Sequence, residues 1–89
     1  MLQYTTTTNG TLIIFTEGGE SEVAPTAPPA DVIHALGLSS SKAEAKRLIA
    51  QGAVEVDGVR VAVSLPIRDG AVVKVGKRRF TRLVEIRSS

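Results

Sequence analysis

The hydrophobic positions of the chain follow a helical spacing in its middle and a strand spacing toward its end. In residues 41–52, SKAEAKRLIAQG, Ala45, Leu48 and Ile49 form one apolar stripe, which predicts an amphipathic helix. Ser41 and Glu44 stand in Ser-x-x-Glu spacing, a capping box that would satisfy two backbone donors at the helix start. Gly52 suits the left-handed position that ends such a helix. A shorter helix is predicted just before it. Pro29 fits a first-turn position, Asp31 complements the N-terminal dipole, Val32, Ile33 and Leu36 recur at helical spacing, and Gly37 offers a stop. Only a few residues separate the two helices, so they should pack as a helical hairpin.

After Gly52 the period becomes two. Val54 and Val56 share one face with Glu55 on the other, Asp57-Gly58 is a two-residue turn signal, and Val59-Arg60-Val61 returns. SLPIRDG reads as a loop, AVVKV as a strand, Gly76-Lys77 as a type II′ turn and RRFTRLVEI as the closing strand. A two-residue turn at 76–77 would pair Val75 with Arg78, Lys74 with Arg79 and Val73 with Phe80. Val73 and Phe80 would then face inward, with Lys74 and Arg79 opposite each other outside. At the other end, Asn9-Gly10 between strand-prone runs predicts a hairpin of residues 3–8 and 11–16. The Gly-, Pro- and Glu-rich stretch 17–30 reads as a mobile connector without regular structure. The pattern as a whole predicts an α+β fold: a short helical hairpin packed on a small, mainly antiparallel sheet. Residues 1–29 would form an N-terminal hairpin and acidic linker, and 30–89 the domain proper.

Composition sharpens this. Eighty-nine residues allow one small core. There is no Cys, which excludes disulfides, zinc fingers and thiol catalysis, and the longest apolar run, Leu12 to Phe15, is far too short to span a bilayer. Net charge is +2, but residues 1–41 carry four acids and no Lys or Arg, whereas 42–89 carry all eleven basic residues against five acids. That asymmetry favours a polyanionic partner for the basic part. Two clusters stand out: Lys42, Lys46 and Arg47 on the predicted helix, and Lys74, Lys77, Arg78, Arg79 and Arg82 on the predicted hairpin. Each alone could be a solvated helix face or a charged sheet edge. Together they point to a phosphate-backbone surface. With only Tyr4, Phe15 and Phe80 as aromatics, capture of a folded RNA by backbone and shape fits better than a base-stacking platform. His34 is the single histidine, no nucleophile elbow or phosphate loop is present, and the chain should not be catalytic or metal-binding by itself.

The order of these residues resembles the RNA-binding domain first seen in ribosomal protein S-four: Ser41, Lys42, Glu44-Ala45, Arg47, Gln51-Gly52, Val54, Val56 and Asp57-Gly58 follow its helix, stop, strand and turn in register. Asp57 stands where that family usually has Asn. The ending Gly76-Lys77-Arg78-Arg79-Phe80 is similar to the C-terminal domain of bacterial-type tyrosyl-tRNA synthetases. The resemblance covers about residues 30–86; residues 1–14 match no part of that pattern. It implies binding of tRNA(Tyr) near the anticodon stem and variable arm, with RNA contacts at Ser41, Lys42, Lys46, Arg47, Gln51, Lys77, Arg78 and Arg79. It implies no cofactor here, no membrane or DNA partner, a cytoplasmic setting and a monomeric fragment. The parent would be a homodimeric ligase using ATP and magnesium, and neither catalytic signature of that ligase occurs in these residues. Two other readings stay open: the same kind of module in another rRNA-binding or RNA-modifying protein, and a protein-interaction or dimerisation module whose charges only solvate it.

Overall fold

The computed structural model describes residues 1–86; residues 87–89, the end of the second segment expected above, lie outside that range. Along the chain come β1 (Leu2–Thr6), β2 (Leu12–Thr16), β3 (Gly19–Val23), α1 (Pro29–Ala35), α2 (Lys42–Ala50), β4 (Val54–Val56), β5 (Val59–Arg60), β6 (Val72–Val75) and β7 (Arg79–Glu85). The fold is α+β, with both helices on one face of a seven-stranded sheet of order β3-β2-β1-β7-β6-β4-β5. All pairs are antiparallel except β1 with β7, where Leu2 aligns with Leu83 and Tyr4 with Glu85. That parallel seam joins an N-terminal meander to the strands that follow the helices. The core lies between sheet and helices, centred on Tyr4, Ile14, Ile33, Val54, Val73 and Leu83.

Signals carried by neighbouring residues are realised locally. Ser41 caps α2 through its hydroxyl, which accepts from the Glu44 amide at 3.0 Å. The other half of the box differs: the Glu44 carboxylate takes the Ser40 hydroxyl at 2.8 Å and the Ser40 amide at 3.2 Å rather than the Ser41 amide. Gly52 ends α2 at φ 72°, which frees the Ala53 amide to donate to Leu48 O at 2.9 Å. Asp57 and Gly58 both hold positive φ, 52° and 83°, as the two-residue hairpin turn between β4 and β5 requires.

Three expectations need correction, each where backbone pairing rather than residue type decides the outcome. Residues 19–23 are not a mobile connector but an edge strand, paired with β2 from Leu12↔Val23 to Thr16↔Gly19. The first hairpin does not use a type I′ turn. Asn9 keeps a negative φ, Thr7 O accepts from the Gly10 amide at 2.9 Å, and the ladder closes at Thr6↔Leu12.

The third correction concerns the last hairpin. Gly76 donates its amide to Ala53 O of the β4 side at 2.7 Å, so it continues the β6 ladder instead of opening a two-residue turn. Gly76, Lys77 and Arg78 then form the turn, and the pairs become Val75↔Arg79, Lys74↔Phe80 and Val73↔Thr81. A one-residue slip reverses the faces. Val73 stays inward, Phe80 points outward at 68 % exposure, and Arg79 moves to the helix side while Lys74 stays outside.

Candidate nucleic-acid interface

The slip that expels Phe80 also builds the site. Arg79 now projects over the side that carries the helices, and its guanidinium donates to Leu38 O at 3.3 Å and lies 3.4 Å from Glu44 Oε1 on α2. Between α2 and the 76–78 turn runs an open groove of about 400 Å³, lined by Glu44, Arg47, Leu48, Val75, Gly76, Lys77, Arg78 and Arg79. Four cations face one carboxylate there. Leu48 and Val75 form its apolar floor, so the charges stand over packed structure rather than on a free loop.

The residues proposed from sequence divide between this groove and its surroundings. Arg47, Lys77, Arg78 and Arg79 meet in it. Lys42 leans the other way, with its ammonium 3.7 Å from Asp31 on α1. Lys46, four residues along and hence on the same side as Lys42, is exposed. Ser41 is exposed but its hydroxyl is engaged by the cap, and Gln51 is the exposed C-cap. Lys74 and Arg82, grouped with the hairpin from sequence, lie on the sheet face opposite the helices, since they pair with Phe80 and Val72. Asp57, which would have set an anion beside the surface, is occupied: it accepts from the Val72 amide at 3.0 Å and from the Arg68 guanidinium.

Glu44 was legible only as a cap, yet it is also the anion that orients the groove. Hydrogen bonds from Ser40, hydroxyl and amide, hold its carboxyl below the usual value, and the charges of Arg79 and Arg47 act in the same direction. It therefore stays ionised at neutral pH and positions Arg79 at the groove wall beside the other three cations. Asp57 is lowered likewise, first by the Val72 amide and then by Arg68. A carboxylate whose pKa is lower folded than unfolded stabilises the fold above its unfolded value and loses that contribution as pH falls through the folded value. Thermal stability should thus be flat from about pH 7 to about pH 5.5 and fall below about pH 4, where carboxylates protonate. Glu44→Gln and Asp57→Asn should start lower at neutral pH and show a shallower acid limb in melting curves; an unchanged limb in both would contradict these roles.

Residues 30–73, just under half of the chain, match the family model of the S4 domain. Its helical hairpin, stop and β4–β5 turn lie within the matched range. The chain is further similar to bacterial tyrosine–tRNA ligases. It is 43 % identical over 81 residues, 79 % of this chain, to that of Nitratidesulfovibrio vulgaris. Identity is 50 % over 50 residues, 53 % of this chain, with that of Moorella thermoacetica. With that of Dehalococcoides mccartyi it is 40 % over 55 residues, 61 % of this chain. The match spans 20 %, 12 % and 14 % of those three ligases. No solved structure gives a significant match. Among the described residues, no helix is long and apolar enough to cross a membrane.

Proposed function

We propose that this chain is the tRNA-binding C-terminal domain of a tyrosine–tRNA ligase and that the α2–hairpin groove takes the phosphate backbone of tRNA(Tyr) beside its anticodon stem and variable arm. The observation that carries the reading is the convergence of Arg47 with Lys77, Arg78 and Arg79 in one groove of an S4 domain. Guanidinium and ammonium groups over a shallow floor match phosphates, which are regularly spaced, fully charged and independent of base sequence. Lys46 extends the footprint along α2, while Ser41 and Gln51 mark the two ends of that helix and offer polar contacts to sugar or phosphate. Lys42 adds a cation once Asp31 releases it. The groove has a basic rim and no nucleophile–base pair, so its chemistry is binding. Activation of tyrosine with ATP and magnesium is assigned to the remainder of a longer, cytoplasmic protein.

The test is competition binding of the 89-residue chain to tRNA(Tyr), to a tRNA with a short variable arm and to a blunt RNA duplex. Preference for tRNA(Tyr) over the short-armed tRNA supports the assignment. Equal affinity for all three would leave a general RNA-binding module, and no binding to any would remove the RNA reading.

A further inference from the structure

We propose that the outer face of the sheet around Phe80 is a second contact for the same RNA, on which the Phe80 ring stacks an unpaired base; this rests on the RNA reading above. Phe80 is 68 % exposed although Leu83, three residues along the same strand, has no exposed surface. Its exposure follows from the register Lys74↔Phe80, which turns it away from the helices. The pairing of β1 with β7 begins only at Leu2↔Leu83, so no paired strand flanks residue 80 on that side and one edge of the ring is open.

The groups around the ring are cationic. Lys74 lies directly across the ladder, Arg82 two residues along on the same face, and Arg78 in the adjoining turn. Of the carboxylates on the neighbouring strand and turn, Glu55 pairs with Lys74 across β4 and β6, and Asp57 is engaged by Arg68 and the Val72 amide. An aromatic face bordered by Lys and Arg fits a nucleotide: the ring takes the base and the cations its flanking phosphates. A protein partner would have to bring an acidic patch to meet Lys74, Arg78 and Arg82, whereas a nucleic acid supplies the base and the anions together. A second copy of this chain across a two-fold axis would oppose Lys74 and Arg82 to themselves or to each other.

The position also joins the groove. Arg79 and Phe80 are consecutive in a strand, so their side chains point to opposite faces. The Gly76–Arg78 tip therefore carries cations toward α2 on one side and an aromatic on the other. An RNA strand crossing the tip meets both.

The chain contains no Trp, so Phe80→Trp installs a single indole reporter at the site. The probes are an RNA stem-loop and a blunt duplex of the same stem. The loop should quench the indole and the duplex should not. Phe80→Ala should weaken stem-loop binding by about 5- to 100-fold, the span of one aromatic–base stack, with duplex affinity and salt dependence unchanged. If the unsubstituted chain binds both RNAs but Phe80→Ala matches it, or loses both equally, the stacking site is wrong while the groove stands. The stacking site is equally wrong if Phe80→Ala changes only the sedimentation of the free chain, which would make the patch a self-association surface. If the unsubstituted chain binds neither RNA, both readings fall.

Discussion

Replacing Arg47 and Arg79 together with glutamate should weaken RNA binding by about 100-fold or more, since each removes a charge-assisted contact of roughly 1.5–3 kcal/mol. The two reside on different elements, α2 and β7, and converge only through the fold. Either single substitution should give a smaller loss, and because both side chains act on Glu44 the two losses should couple rather than simply add. The fold should survive. Arg47 is exposed, the Arg79–Glu44 contact is long and exposed, and the Arg79 bond to Leu38 O is long and only part-buried, so they contribute little to stability. Melting curves of the variants separate the two effects. Full affinity in the double variant with an intact fold would remove the groove from the site.

The second large effect concerns the seam on which the groove depends. Leu83→Ala should destabilise the domain by about 2–5 kcal/mol, the usual result of truncating a fully buried leucine. Leu83 has no exposed surface and aligns with Leu2 across the parallel β1–β7 junction. Its backbone also anchors the end of the long loop, donating to Ala71 O at 2.8 Å and accepting from the Gly70 amide at 2.7 Å. In a domain with about 5–15 kcal/mol in total, that is a substantial fraction; the corresponding fall in Tm is about 10–30 °C for this size. Val59→Ala, at a position 70 % exposed, should stay within about 0.5 kcal/mol. A Leu83→Ala melting point close to that of Val59→Ala would mean that β1 does not dock on β7.

The same contrast between local and remote partners explains what the sequence alone makes legible. The Ser41 cap, the Gly52 stop and the Asp57-Gly58 turn each depend on residues a few positions apart, so residue type and spacing define them. The two basic clusters are visible as composition. Their union is not, because it needs the β6–β7 register, and that register is set by the Gly76 amide meeting Ala53 across another strand. Two strands and a turn, taken alone, contain no Ala53. Strand β3 escapes for a related reason. GESEV shows no apolar alternation and is held by its pairing with β2, while Glu20 and Glu22 are the charges that keep such an edge from pairing with other chains. The inward assignment of Phe80 lacks the same register, which is why an aromatic contact surface is hidden in the sequence.

The central claim, that the groove holds RNA by its phosphates, is tested most directly by the salt dependence of tRNA(Tyr) binding in the chain and in Arg47→Gln/Arg79→Gln. Four groove cations on phosphates predict a log–log slope of about −3 to −4, or roughly 100-fold lost between 50 and 200 mM salt. The double variant should flatten that slope by about 2. A slope near zero in the unsubstituted chain, or the same slope in both proteins, would contradict phosphate capture by this groove.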